Sequence, residues 1–364
     1  MLTVAYVINF MKNCGPCNVV RSLLHTLKRN SINPILITLY ENNDEAIIKE
    51  ILDMGISVYE LDYDKKINCL LKAHIKIEQI VVTDDVDILH GQSFMSDIII
   101  SNTKSDVKKI TTIHNRTYDD YIFLFGNFKG RLVAKIHLRV LQKFDKCICC
   151  SKSVQDEERK YLKNTMFIQN GVEIVENKTD ITRNELGIPD DAMVYIYTGS
   201  LSKRKNVVHL VELFLKAHSE NDYMLILGTG EEERECRELI DNNIIMLGYI
   251  SNPAQYYQIS NVYISASLAE GLSLSQLESL EYNLGQLVFD IPSHREVVDQ
   301  DKEYYVGEVF NDLDFMEKFN IVGRKVRLGM IKSKKLYEKY FTNYIMCRNY
   351  EDAYIKIGEV NNER

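Results

Sequence analysis

Basic residues are in deficit: 44 Lys and Arg stand against 52 Asp and Glu in 364 residues, a formal charge of −8. The average surface potential therefore opposes a polyanion, which excludes nucleic acid as the main partner, and any anion must be met by a local basic patch. Proline and glycine are sparse, 5 and 17, and spread along a chain that is 45% apolar and 26% charged, which excludes fibrous repeats and disorder. No run of 18 apolar residues occurs; the uncharged stretch 242–269 is broken by Gly248, Asn252-Pro253, Gln255, Gln258 and Ser260-Asn261, which does not suit a bilayer span. The opening Met-Leu-Thr-Val-Ala-Tyr-Val-Ile lacks a basic region before its apolar run and a small-residue cleavage site. It reads as a first buried strand and not as a secretory leader, so the expected location is the cytoplasm. There the eight cysteines, at 14, 17, 69, 147, 149, 150, 236 and 347, are expected to be reduced thiols.

A chain of this length exceeds what one hydrophobic core usually serves. Short β-rich runs alternate with amphipathic segments almost from end to end, the α/β pattern of β-α-β units that build parallel sheets. Strands are predicted at 4–9, 34–39, 57–61, 88–90, 109–114, 146–150 and 166–169, then at 194–197, 223–227, 244–247, 262–265 and 287–289. Helical patterns fall between them, notably at 19–28, 129–143, 206–217 and 231–240. Two doubly wound domains in series are the simplest account. Their seam is expected between Gly171 and Arg183, where a polar stretch from Glu176 to Asp180 follows Asn170-Gly171. From 325 to 357 the chain reads as helix rich in Lys and Tyr.

Cys14-Gly15-Pro16-Cys17 sets a C-x-x-C at a helix start after a strand, the arrangement by which thioredoxin-like proteins lower a thiol pKa. The strand before it opens a much larger pattern, no Trp precedes it, and no thioredoxin-sized unit follows. A strand-to-helix turn in which Gly15 permits close backbone approach is the better account. A zinc site shared with Cys149 and Cys150 would lack a second C-x-x-C. Three D-x-D triplets, Asp62/Asp64, Asp85/Asp87 and Asp312/Asp314, could pair carboxylates on a divalent cation, but chance supplies about as many in an acidic chain. No metal is expected.

The richest segment runs from Ala269 to Glu278. It follows a predicted strand and opens a helix whose start fits a capping box, Ser273 as cap and Gln276 three residues on. The amides of Ser273, Leu274 and Ser275 would sit at a positive helix end, a ready site for phosphate. Glu270 and Glu278 bracket that end, and each carboxylate can accept two hydrogen bonds from neighbouring sugar hydroxyls. A capped helix with two solvated glutamates would have the same sequence. Upstream, Thr198-Gly199-Ser200-Leu-Ser-Lys203-Arg204-Lys205-Asn206 gathers three cations after a strand. Such a loop could neutralise a diphosphate without a metal; a plain solvated loop would look the same.

Together these segments resemble the retaining GT-B glycosyltransferases of family 4. The E-x7-E signature stands as Glu270-Gly-Leu-Ser-Leu-Ser-Gln-Leu-Glu278, before Tyr282-Asn-Leu-Gly285. The family's phosphate loop is similar to Gly199–Asn206, its G-x-G turn to Gly228-Thr-Gly230, and its next strand-loop to Gly248-Tyr249-Ile250. In the first half Gly15-Pro16, Asp87-Ile-Leu-His90, Thr112-Ile-His114 and Ser151 followed by Asn170-Gly171-Val172 match in order.

The resemblance implies two Rossmann-like domains facing a cleft, residues 1–175 for the acceptor and 176–345 for the donor, with a last helix in 346–364 crossing back to the first. It implies donor contacts from Gly15, Gly199, Ser200, Arg204, Lys205, Gly228, Gly230, Tyr249 and Ile250, and from Glu270, Gly271, Leu272, Ser273, Leu274 and Glu278. Within that set Glu278 would hold the ribose, Glu270 and the amides after Gly271 the sugar and diphosphate, and Lys205 the diphosphate. Glu270, His114 and Lys205 would form the catalytic group, His114 acting on the donor sugar. No cofactor is implied beyond the nucleotide-sugar co-substrate, UDP-sugar favoured, and the acceptor would be a saccharide or a lipid-linked one in bacterial surface polysaccharide or glycolipid assembly. Two departures stand out: Ser200 where the family usually carries Arg, for which Arg204 or Lys203 could substitute, and Leu272-Ser273 where many members have an aromatic residue and Gly. A nucleotide-sugar epimerase or hydrolase, or a catalytically silent nucleotide-sugar-binding partner, is the alternative. Finally, Lys129–Lys146 carries six cations against Asp145, with Leu132, Val133, Ile136, Val140, Leu141 and Phe144 on another helical face. It reads either as a peripheral contact with an anionic membrane or as a domain helix with a solvated basic face.

Overall fold

Strands with almost no exposed position organise the chain, as expected where helices cover both faces of a parallel sheet. The computed structural model describes residues 1–27, 31–42, 44–173 and 181–359. It divides into two compact units, Met1–Gly171 with Asn343–Arg364, and Val172–Thr342. The expected polar seam at 176–180, with the division at 175/176, falls outside the described residues.

In the first unit the strands are β1 (Leu2–Ile8), β2 (Ile32–Thr38), β3 (Ser57–Glu60), β4 (Ile88–Gly91), β5 (Lys108–Ile113), β6 (Lys146–Cys149) and β7 (Thr165–Phe167). They form one parallel sheet in the order β3-β2-β1-β4-β5-β6-β7. The second unit has β8 (Met193–Thr198), β9 (Asp222–Leu227), β10 (Ile244–Gly248), β11 (Val262–Ser265), β12 (Gly285–Phe289) and β13 (Gly307–Phe310), parallel in the order β10-β9-β8-β11-β12-β13. Both are the doubly wound α/β sheets expected. Along β8, Met193, Tyr195 and Tyr197 enter one apolar layer while Val194 and Ile196 enter the other, so period-2 alternation fills both faces. In such sheets ligands gather beyond the carboxyl ends of the strands where the strand order reverses. That point lies between β1 and β4 in one unit and between β8 and β11 in the other.

Three expectations need correction, the third in the helix Asn127–Leu141 described below. β13 was not foreseen: Gly307 and Glu308 dilute its apolar signal, and Gly307 is there because a Cβ would sit 1.9 Å from the Gln286 carbonyl oxygen of β12. The single helical reading of 325–357 is three helices, Phe315–Arg327, Ser333–Tyr340 and Asn343–Glu359. Gly329, at φ +65°, ends the first in the left-handed conformation that glycine adopts without strain.

The helix Asn343–Glu359 belongs to the first unit. Met346, Cys347, Tyr350, Ala353, Tyr354 and Ile357 recur at three- and four-residue spacing and are buried. Their polar tips are satisfied inside the core. The Tyr354 hydroxyl lies 2.8 Å from that of Tyr6 and 2.8 Å from His90 Nδ1, and His90 Nε2 and the Tyr350 hydroxyl both meet Thr112 Oγ1. Burial holds the His90 imidazole down at about 3, so it is neutral. His90, part of the family-like Asp87-Ile-Leu-His90, is thus a core residue.

The helix Asn127–Leu141 buries Gly130, Ala134, His137, Leu138 and Leu141. Of the apolar face expected for it, Leu132 and Ile136 point to solvent instead, beside Phe128 at 86% exposure. The cause is a close approach at Gly130, where a Cβ would lie 2.4 Å from the Tyr121 carbonyl oxygen. That contact turns His137 inward, where Nε2 meets Asp97 Oδ2 at 2.8 Å and Nδ1 meets the Tyr121 hydroxyl at 2.8 Å.

Candidate active site

At the reversal point of the second sheet, the loop after β8 is built backbone on backbone. Gly228 has φ +146°, and a Cβ there would fall 1.8 Å from the Gly199 carbonyl oxygen; one on Gly230 would fall 2.2 Å from that of Leu201. The Gly199 amide donates to Leu227 O at 3.0 Å, that of Leu201 to Thr229 O at 2.9 Å, and that of Gly228 to Gly248 O at 2.7 Å. The G-x-G turn therefore has a structural duty towards the 199–206 loop. Tyr197 adds a hydroxyl donated to Ser200 O at 2.9 Å.

This scaffold aims two cations at one carboxylate. Lys205 Nζ donates to Glu270 Oε1 at 2.5 Å, and Arg204 Nη1 to Glu270 Oε2 at 3.0 Å and to Ala269 O at 2.7 Å. The Leu268 amide closes the same junction by donating to Arg204 O at 2.9 Å. The Glu270 side chain is 8% exposed. Burial alone would raise its pKa, but Lys205 and then Arg204 overcome that and leave it at about 2, ionised at any working pH. Of the two candidates to compensate for Ser200, Arg204 is in this cluster, whereas the Lys203 side chain is exposed.

The helix Leu274–Glu281 follows directly, with Ser273 as its cap residue. The expected capping box does not form. Ser273 makes no side-chain cap bond, and Gln276 is buried with both amide atoms unpartnered among the described residues. The backbone N–H groups of Leu274 and Ser275 have no partner among the described residues either. They stand at the positive end of the helix. One turn on, Glu278 Oε2 accepts from the Tyr257 hydroxyl at 3.3 Å, and that hydroxyl also meets Thr198 Oγ1 at 2.6 Å. Among the described residues no cation accompanies Glu278, and burial pushes its carboxyl up to about 7. Two carboxylates of one motif are thus driven apart, one held ionised and one poised near neutrality.

The sign of that second shift is testable. The native state retains the Glu278 proton better than the unfolded chain does, so stability from this group is complete below the ordinary value of 4.5 and is lost as pH rises through about 7. Glu278→Gln should melt with the parent near pH 4.5 and exceed it by about 1 to 2 kcal/mol at pH 8. Thermal melts at the two pH values check this; a variant less stable than the parent at pH 8 contradicts the shift.

The other expected contacts are placed as follows. Gly271 and Leu272 are buried, Ile250 packs on the second unit's core, and Tyr249 beside it is largely exposed. In the first unit Gly15 is exposed and opens the helix Gly15–Leu27 without a left-handed φ. His114 directly follows β5, and its Nε2 lies 2.9 Å from Gln92 Oε1, so with that oxygen facing it Nε2 carries the proton and Nδ1 is the acceptor. Burial holds His114 down at about 4, which decides for the neutral imidazole.

One group was missed by sequence reasoning. His294 is fully buried, its Nδ1 meets Phe289 O at 2.8 Å, and its Nε2 has no partner among the described residues. Burial takes it down to about 4 against the pull of Glu270, so it is a neutral acceptor in the field of the Glu270 cluster. Only a lone His after Ile291-Pro292 marked it. The D-x-D triplets are accounted for structurally: Asp62 and Asp85 sit in left-handed turns, Asp87 accepts from the Thr3 amide, and Asp312 meets His209. Among the described residues no three His, Cys, Asp or Glu side chains converge as a metal site.

A family profile described as Glycosyltransferase Family 4 matches residues 15–176, and one described as Glycosyl transferases group 1 matches residues 178–324. An O-antigen biosynthesis glycosyltransferase, WclY of Escherichia coli, is 24% identical over 368 residues, covering 97% of this chain and 98% of its own. An alpha-monoglucosyldiacylglycerol synthase of Acholeplasma laidlawii is 23% identical, covering 77% of each. Among solved structures, Anabaena HepE in complex with UDP and glucose superposes with a TM-score of 0.80 at 12% identity, over 98% of this chain and 100% of that one, which is a likeness of fold.

Proposed function

Because the chain belongs to the GT-B glycosyltransferases of family 4, we propose that it moves a sugar from a nucleotide-sugar donor, UDP-sugar favoured, to a saccharide or lipid-linked saccharide. We propose retention of anomeric configuration and no metal. The observation that carries this is the Glu270 carboxylate, paired with Lys205 and Arg204 immediately before a helix that opens with unpartnered amides. A diphosphate on the Leu274 and Ser275 amides would bring its charge to Lys205 and Arg204, which then stabilise the leaving oxygen. Glu278 accepts from the ribose hydroxyls and Glu270 from those of the sugar. The bond from the anomeric carbon to the phosphate oxygen breaks, the acceptor oxygen bonds to the same face, and the leaving phosphate oxygen takes the acceptor's proton. Glu270 is given no role as a covalent nucleophile. His114, neutral, contributes Nδ1 as an acceptor for a donor-sugar hydroxyl.

Incubation with a panel of nucleotide sugars tests this. Release of nucleoside diphosphate that requires a saccharide acceptor is the expected result. Epimerised or hydrolysed donor without acceptor would establish the alternative enzyme, and tight binding without turnover a silent partner.

We further propose contact with an anionic membrane on its cytoplasmic face. From 121 to 144 the chain has five Lys or Arg and no acid, and Phe123, Leu124, Phe125, Phe128, Leu132 and Ile136 are exposed among them. Each cation near an anionic surface adds about 1 kcal/mol, and the apolar side chains add burial. Among the described residues no helix is long and apolar enough to cross a membrane. Co-sedimentation with phosphatidylglycerol vesicles at low salt, lost on Lys129→Glu with Arg131→Glu, is expected; equal sedimentation with neutral vesicles would refute the electrostatic part.

A further inference from the structure

The turn after β1 holds two thiols face to face. Cys14 Sγ lies 3.0 Å from Cys17 Sγ, and Cys17 Sγ lies 3.4 Å from Phe10 O. Cys14 is half-buried and Cys17 buried. Cys14 immediately precedes the 13-residue helix Gly15–Leu27, accepts its first bond from the Asn18 amide at 2.8 Å, and faces a first turn with no acidic residue. Of the eight cysteines Cys14 alone keeps an intermediate exposure; the other seven are buried.

We propose that Cys14 and Cys17 form a reversible disulfide, with a hydroperoxide as oxidant and a small thiol as reductant. The Cys14 thiolate attacks the terminal peroxide oxygen and the O–O bond breaks. The departing oxygen takes a proton as water or alcohol, and Cys14 becomes a sulfenic acid. The Cys17 sulfur then attacks Cys14 Sγ, the S–O bond breaks, and the hydroxide leaves as water with the Cys17 proton. Two thiols and one hydroperoxide give one disulfide, one water and one water or alcohol; two electrons pass from sulfur to oxygen. Electrostatics distinguish the two partners. The hydrogen bond between the two sulfurs draws Cys14 below the ordinary thiol range against its burial, and that same bond with burial drives Cys17 up. Burial pushes the Cys147, Cys149 and Cys236 thiols up instead. Closing the bond shortens the sulfur separation from 3.0 Å to about 2.0 Å, a movement the exposed turn at Gly15 can absorb. No nucleotide sugar is needed for this chemistry.

The test uses the full chain, reduced and desalted, then exposed to a few equivalents of hydrogen peroxide and mapped by mass spectrometry after alkylation. The expected product is one intramolecular Cys14–Cys17 bond, two hydrogens lighter and restored by dithiothreitol. Native iodoacetamide labelling at pH 7 should modify Cys14 at least about tenfold faster than any other cysteine. Cys17→Ser should stop at a sulfenic acid on Cys14 that dimedone traps, and Cys14→Ser should leave Cys17 unoxidised. Persistence of both thiols while another cysteine oxidises, or labelling of Cys14 no faster than free glutathione at the same pH, would overturn the proposal.

Discussion

Replacing Lys205 with alanine should lower sugar transfer by about 10²- to 10³-fold, the usual loss when one preorganised donor to developing charge is removed. The effect is large because Lys205 is held in place by Glu270, with its side chain only partly in water. The fold should survive, since Arg204 still pairs with Glu270 and keeps it from becoming an unaccompanied buried charge. The Glu270 carboxyl should nevertheless rise from about 2, because its strongest opposing charge has gone. Lys205→Arg keeps the charge on a planar fork and should recover only part of the rate. Steady-state rates against donor concentration, with a thermal melt as control, decide it. A parent-like turnover in a folded Lys205→Ala protein would remove this side chain from the chemistry.

Gly228→Ala should be the most damaging change to the second unit. Its φ of +146° lies in a region that only glycine occupies easily, and the added methyl would sit 1.8 Å from the Gly199 carbonyl oxygen. Strain and overpacking together cost about 3 to 6 kcal/mol, enough to unfold many domains. The neighbour is backbone and cannot rotate away, so relief would require the 199–206 loop to lift and carry Lys205 with it. Nucleotide binding should fall with the melting temperature. Gly187→Ala is a useful contrast: its φ is +70°, but the methyl would meet nothing within 4 Å, so only backbone strain remains.

The strands were legible in sequence because each is a short apolar run closed on both sides by polar turns, and burial of both faces preserves that signal. β13 was lost because its glycine answers to a neighbouring strand and contributes no apolar pattern of its own. The E-x7-E segment was legible as two acids around a helix start. Its pairing with the cation loop was not, since Lys205 and Glu270 are 65 positions apart and no local rule relates them. The capping box fails for a related reason: Ser273 and Gln276 fit the motif in sequence, but Gln276 is fully buried and makes no bond back to the cap. His294 was invisible because its importance lies in an unpartnered buried nitrogen, a property of packing. The apolar stripe of Asn127–Leu141 was drawn on periodicity alone, and one close approach at Gly130 rotated the buried side away from Leu132 and Ile136.

The return of Asn343–Glu359 to the first sheet has a consequence for biosynthesis. Tyr6 and His90 find their hydroxyl partner, Tyr354, more than 260 residues downstream. A ribosome delivers that partner only after the whole span Val172–Thr342 has emerged. The middle of the polypeptide can therefore mature while the leading segment still waits for its closing piece, and during that interval the leading segment is the part most in need of a chaperone.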